Sequence, residues 1–221
     1  VDLPCIKSMD INPLLADHEG VIALDARIEF DPDLVEKKGP HPGLAIRPYP
    51  SGWEKEISAG GGNYLLRPIK PSDAALYPDF LAKVSPDDMR LRFLAPRKEF
   101  SNEMLMRLTQ LDYDRDMAFV ALDAQTGALA GIGRLSSNPD KTGAEFGLLV
   151  RTDLQGRGLG WALLRRLIDF AQGDGIGMIE GAVLNENSGM LKMCREFGFS
   201  VAHLKGEPGL SKVSLETLTD N

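Results

Sequence analysis

The sequence predicts an α/β (α+β) protein: a mixed, mostly antiparallel central sheet flanked by helices, with a β-hairpin extension at its N-terminus. Three observations predict it. The apolar runs Met117–Leu122 and Ala128–Leu135 enclose Asp123-Ala124-Gln125-Thr126-Gly127 and read as an antiparallel hairpin. Gly143–Val150, Gly156–Gln172 and Ile176–Leu184 read as strand, helix and strand, because the middle segment repeats Leu163, Leu167 and Phe170 at helical spacing. Near the start, Asp10–Leu15 and Ala23–Ile28 read as two strands joined by a turn at Asp17–Gly20.

The remaining elements follow in order. Residues 1–30 form the hairpin extension. Residues 31–62 carry Pro40, Pro42, Pro48 and Pro50, then Gly60-Gly61-Gly62. Proline fixes φ and glycine frees the backbone, so this stretch reads as a linker; an ordered segment anchored by Ile46, Tyr49, Trp53 and Ile57 fits equally. Residues 63–221 are the main domain. Tyr64–Ile69 is a strand, and Pro71-Ser72-Asp73 precedes a helix over Ala74–Val84. Ser85-Pro86-Asp87-Asp88 starts the next helix with serine as N-cap, and Ser101 followed by Glu103 and Met104 through Leu111 suggests a third. Asn187–Phe197 is a helix, and Val201–Leu204 and Lys212–Leu215 are closing strands.

Composition narrows the function. The chain has 221 residues, about one and a half domains at ~150 residues each. Its 25 basic and 32 acidic side chains give a net charge of −7, which disfavours wholesale binding to nucleic acid or anionic lipid. The first 62 residues hold 6 basic and 11 acidic groups, net −5, and the rest 19 and 21, net −2. Two cysteines and three scattered histidines argue against a disulfide scaffold or a metal centre. No apolar run approaches the ~20 residues of a membrane span, and Val1-Asp2-Leu3-Pro4 does not start a signal peptide. The expected setting is a reducing cytoplasm.

The sharpest motif is Gln155-Gly156-Arg157-Gly158-Leu159-Gly160, after a strand and opening a helix. Glycines allow close backbone approach, and amides at a helix start suit a phosphate. It is neither a Walker A loop, lacking Gly-Lys-Ser/Thr, nor a dinucleotide fingerprint, since Trp161 stands in place of the third glycine. With the preceding Leu148-Leu149-Val150-Arg151-Thr152-Asp153-Leu154, the loop resembles the acetyl-CoA signature of the GNAT acetyltransferase superfamily, whose Arg/Gln-x-x-Gly-x-Gly/Ala is met by Gln155, Gly158 and Gly160. Asn187-Ser188-Gly189-Met190-Leu191 and Phe197-Gly198-Phe199 are similar to that superfamily's last conserved helix and the turn after it, so the likeness runs from about Asn63 to Leu215. The resemblance implies a GNAT fold with acetyl-CoA as acetyl donor. It implies that amides at Leu148 and Val150 pair with the pantetheine arm, that a strand amide near Leu149 or Val150 holds the thioester oxygen, that amides from Gly156 to Gly160 cradle the pyrophosphate, and that Asn187 touches the pantetheine or acetyl end. Asn187 also reads as a helix N-cap.

Acetyl transfer to an amine needs a base, because lysine with a pKa of ~10.4 is protonated at neutral pH. Glu145 is the candidate: alternation puts it opposite Ala144, Phe146 and Leu148, and a lone carboxylate in an apolar strand is costly unless paired or functional. The alternatives are an exposed strand face or a salt bridge to Arg134 across the hairpin. Ala144-Glu145-Phe146 also resembles the strand of bacterial protein lysine acetyltransferases in which a glutamate is the base. The superfamily's Leu-Tyr-x-x-x-Gly-Phe tyrosine acid is replaced here by Cys194, which reads as packing. Arg90, Arg92, Arg97 and Lys98 form a basic cluster, and Asp112, Asp114 and Asp116 an acidic one; solvated surface is the plain reading of both.

Asn12 and Asp25 lie in segments that resemble the last strands of the ATP-grasp domain of NDP-forming acyl-CoA ligases. Their family equivalents hold magnesium, but the rest of the nucleotide cleft is missing, so no metal or ATP site is expected. A ligase-like region preceding a GNAT domain is an arrangement of bacterial protein acetyltransferases. The expectation is therefore a protein lysine Nε-acetyltransferase whose acceptor, by family, is a metabolic enzyme such as an AMP-forming acyl-CoA synthetase. Two rivals are a small-amine N-acetyltransferase and a non-catalytic acyl-CoA sensing module.

Overall fold

The computed structural model describes residues 3–36, 47–95, 100–204 and 206–217. Two compact units divide the chain, Val1–Pro48 and Tyr49–Asn221. In the first, the expected hairpin is split: β1 (Ile6–Ile11) pairs with β4 (Ala26–Phe30), and β2 (Leu14–Ala16) with β3 (Val21–Ala23). Pro13, without an N–H, sits at the break. The Asp17 carboxylate accepts from the amides of Glu19 and Gly20 and closes the turn. Leu14, Leu15, Val21 and Ile22 all remain exposed, so this unit builds little core of its own.

The second unit is an eight-stranded sheet ordered β11-β12-β10-β9-β8-β7-β6-β5. Its strands are β5 (Lys55–Ala59), β6 (Gly62–Pro68), β7 (Asp116–Asp123), β8 (Leu129–Ser137), β9 (Ala144–Val150), β10 (Met178–Leu184), β11 (Ser200–His203) and β12 (Leu210–Glu216). Every neighbouring pair is antiparallel except β9 with β10. The mixed, mostly antiparallel sheet is as expected.

The linker reading does not hold for residues 49–62. Lys55–Ala59 is a paired strand, and Gly60 and Gly61, both at positive φ, turn the β5–β6 hairpin. Trp53 and Ile57 pack against the main core, the ordered alternative. Pro40 and Pro42 lie outside the described residues. The first helix is also shorter than expected. Pro71–Leu76 is a 3-10 turn and α1 covers only Tyr77–Leu81, because Pro78 has no N–H for a helical bond back to Ala74. The serine caps act as read: Ser85 Oγ accepts from Asp88 N–H at the start of α2 (Pro86–Phe93), and Ser101 Oγ from Met104 N–H at the start of α3 (Asn102–Thr109).

Helix α4 (Leu159–Gly173) lies on one sheet face with Leu163, Leu164 and Leu167 fully buried. Gly133 admits it: a Cβ there would meet Leu148 Cδ2 at 3.0 Å and Leu167 Cδ1 at 3.3 Å. Helix α5 (Ser188–Glu196) belongs to the same core through Leu191 and Cys194. The opposite face holds a second core of Ile69, Tyr77, Phe80, Leu105, Val120 and Ile132, with Leu149 against it. At its edge, Arg67 makes a bidentate pair with Asp73 at 2.8 and 2.6 Å, and Asp73 also accepts from Lys70 N–H at 2.7 Å. Both side chains are buried, and removing one partner strands the other charge. Asp73→Ala is therefore expected to cost about 3–5 kcal/mol in urea unfolding, whereas Glu103→Ala, which breaks only an exposed helical pair to Arg107, is expected to cost less than about 1 kcal/mol.

Candidate active site

The site begins where a ladder ends. β9 and β10 share register only at Ile179↔Ala144 and Glu180↔Glu145, and then part. Phe146 lies at the parting: its ring is 5.4 Å from that of Phe199, and a Cβ on Gly181 of β10 would come within 3.0 Å of it. Beyond these two pairs β9 has one edge without a strand partner among the described residues. Arg151 N–H donates to the Ala130 carbonyl at 3.0 Å, so strand alternation turns the Leu149 N–H toward β8 as well. The amides of Leu148 and Val150 face the gap. These are the two amides expected for the pantetheine arm; of the pair expected near the thioester oxygen, Val150 faces the gap and Leu149 contributes its side chain instead.

The gap is a cavity of about 530 Å³. Phe146 through Val150 form one wall, and Gly181, Ala182 and Val183 the other. Its floor runs over Gln155, Gly156, Gly158 and Gly160 to Asn187, Met190 and Trp161. Gly156 and Gly158 adopt φ of 70° and 86°, a region that L side chains avoid, and Gly158 caps α4. The first amides of α4 thus have no carbonyl partner within the helix and sit at its positive end. A pyrophosphate fits that cradle, and an extended amide-bearing arm fits the Leu148 and Val150 amides as an added strand would.

The other expected residues divide. The Leu159 side chain is in the core, leaving only its amide for a ligand. Arg157 is exposed; the Cβ of any residue at Gly60 would fall 2.2 Å from its own Cβ, so its stem lies on the β5–β6 turn. Gln155 donates to the Val150 carbonyl at 3.4 Å, which makes it a brace of the loop. Asn187 caps α5 through Met190 N–H at 3.0 Å while lining the cavity, so both of its readings coexist.

Glu145 is exposed, as the plain strand-face alternative has it, so no burial cost singles it out; it stands at the other end of the cavity. Among the described residues it makes no ion pair; Arg134 instead bonds the Leu108 carbonyl. Arg92 of α2 does lie on this face, its guanidinium covering Gly147, where a Cβ would come within 2.2 Å. Burial lowers the Arg92 pKa, as does Arg134, while Glu145 opposes that shift. Ser136, cross-strand partner of Glu145, donates to Asp116. Cys194 does not line the cavity, and burial pushes its thiol up to about 11, as packing requires. Arg90 pairs with Asp87 and Glu186; Arg97 and Lys98 lie outside the described residues.

Sequence reasoning missed a second brace. Asp88 accepts from Ser85 Oγ at 2.6 Å and from Thr152 Oγ1, and Ser85 N–H donates to Thr152 Oγ1 at 2.8 Å. These bonds tie the start of α2 to the loop ahead of α4. Only the serine cap was visible in the sequence.

A splayed sheet with a phosphate cradle at one end and a carboxylate at the other is a site for an acyl group carried on a long nucleotide arm. The chain belongs to the acetyltransferase (GNAT) family, which matches residues 87–199. Residues 1–30 match the ATP-grasp domain family. An acetyltransferase of Pseudomonas aeruginosa is 33% identical over 141 residues, covering 63% of this chain and 76% of that protein. Acetyltransferase Pat of Mycolicibacterium smegmatis is 28% identical over 136 residues, 61% of this chain but only 40% of Pat. The GNAT domain of S. lividans PAT superposes with a TM-score of 0.70 at 27% identity, covering 76% of this chain and 99% of that domain. A Salmonella typhimurium acetyltransferase solved with acetyl-CoA shares the fold, with a TM-score of 0.57 at 18% identity over 72% of this chain and 96% of its own. No helix among the described residues is long and apolar enough to cross a membrane.

The Asp88 brace has a pH signature. Burial raises the carboxyl pKa, but bonds from Ser85, Thr152 and Gln155 outweigh it and hold the group below its ordinary value. Such a group stabilises the fold above its unfolded pKa of about 3.9, and the gain is lost as pH falls through the lower folded value. Asp88→Asn is expected to lower Tm at pH 7 and to narrow its gap to wild type as pH falls below about 4, in thermal melts across that range.

Proposed function

We propose that this protein transfers the acetyl group of acetyl-CoA to a lysine side chain of another protein, by direct attack in a ternary complex. The observation that carries the reading is the setting of Glu145. It is exposed at the acyl end of the cavity, on a sheet face that continues through Ser136, Lys212 and Ala202, all exposed as well. An open face suits a lysine presented by a macromolecule; a small amine is better held by an enclosed pocket. Pat, a named relative, supports a protein acceptor, and the resemblance to bacterial protein acetyltransferases points to an AMP-forming acyl-CoA synthetase.

In this reading the loop amides from Gly156 to Gly160 hold the pyrophosphate, and those of Leu148 and Val150 align the thioester arm. Glu145 takes the proton from the lysine ammonium, directly or through water. The neutral amine attacks the thioester carbonyl, forming the C–N bond, and the Leu148 amide donates to the oxyanion. As the C–S bond breaks, the departing thiolate takes a proton from water or the one released by the amine. No tyrosine or histidine lines the cavity among the described residues, so no side chain is assigned as acid.

Glu145→Gln keeps size and polarity but removes the base. With acetyl-CoA and an AMP-forming acetyl-CoA synthetase, wild type is expected to acetylate one lysine by mass spectrometry. The variant is expected to lose about 10²–10⁴-fold in rate with CoA affinity unchanged. Equal rates in both would remove Glu145 as base. Acetylation of polyamines but no protein would favour the small-amine enzyme, and CoA binding without any transfer the sensing module.

A further inference from the structure

Trp161 occupies the first turn of α4, directly after the glycine loop, and its indole lines the phosphate end of the cavity. It is 41% exposed, the only large aromatic of the second unit so exposed among the described residues. Its ring is 4.3 Å from that of Phe197, tilted by 34°, so one face is backed by a second aromatic. One turn along the helix, the Arg165 guanidinium lies 5.2 Å from the Trp161 ring centre and 5.0 Å from that of Phe197. Arg165 is exposed and makes no ion pair among the described residues. The nearby cation Lys192 is paired with Glu196 at 3.9 Å.

A rigid aromatic face beside a free guanidinium binds a purine next to a phosphate: the base stacks and the cation takes the charge. The placement fits a nucleotide whose pyrophosphate sits on the Gly156–Gly160 amides, because Trp161 follows that loop immediately and Arg165 is about 6 Å further along the helix. We propose that Trp161 and Arg165 form a purine platform, on which the adenine of CoA stacks against Trp161 while Arg165 binds the ribose 3′-phosphate. The platform makes the enzyme prefer CoA thioesters over those of 3′-dephospho-CoA and of bare pantetheine. This inference rests on the acyl-CoA reading of the cavity and adds which residues read the nucleotide.

Titration of the full chain by calorimetry with CoA and with 3′-dephospho-CoA tests it. Wild type is expected to bind CoA about five-fold more tightly than the dephospho form. Arg165→Gln is expected to bind both equally, at the dephospho level. Trp161→Leu, which keeps apolar contact with Phe197 but has no aromatic face, is expected to weaken both about ten-fold, and Trp161→Phe to restore most of that loss. The chain has two tryptophans, so a Trp53→Phe background reports Trp161 alone, and CoA is expected to quench its fluorescence. A full phosphate preference in Arg165→Gln, or wild-type affinity with unquenched Trp161, would overturn the platform and leave the transferase reading standing. Failure of wild type to bind CoA at all would instead overturn the reading beneath it. Should Trp161→Leu not fold, quenching and the Arg165→Gln preference still decide.

Discussion

Everything at the site depends on the parting of β9 and β10, two strands that begin as a parallel pair. Here the ladder between β9 and β10 stops after two residue pairs, and the Phe146 ring packs over Gly181 where the strands part. Gly181 makes this tolerable, since any side chain there would strike the ring. The freed amides of Leu148 and Val150 are therefore pre-aligned donors held by the β8 ladder on their other side. Opening this gap is a fold-level cost, offset by the cores on both faces of the sheet.

The rest of the site reads as support for that gap. The glycine loop is pinned from two directions: Gln155 reaches back to Val150, and the Asp88–Ser85–Thr152 bonds hold the start of α2 against the segment before α4. Helix α4 is itself clamped at its far side, where Arg166 donates to the Trp53 carbonyl at 2.6 Å and stacks on the Trp53 ring. Side chains that look like ligands in a motif can thus be structural, while the ligand-facing groups are mostly backbone.

Much of this was legible in the sequence, for identifiable reasons. The loop announced itself because Gly156 and Gly158 need positive φ, a demand that restricts the residue type. The strands from Met117 onward were clear because each buries one face and alternates. Strand β5 was hidden because its neighbours, prolines on one side and three glycines on the other, look alike in a linker and in an edge hairpin. The Pro78 break was written in the sequence but outweighed by the apolar pattern around it. Which amides of β9 face the gap came only from the family resemblance, because strand parity by itself has no meaning until the pairing partner is known. The Asp88 brace joins segments far apart in sequence, and Trp161 registered only as a missing glycine.

The contact between Gly60 and Arg157 ties an edge hairpin to the most constrained loop of the molecule. Position 60 has a backbone suited to glycine and no room for a side chain while any residue with a Cβ stands at 157. The two sites are therefore not free to drift separately. A side chain at 60 would require glycine at 157 or a shift of the loop backbone itself, so the hairpin shares the steric constraint of the loop it touches.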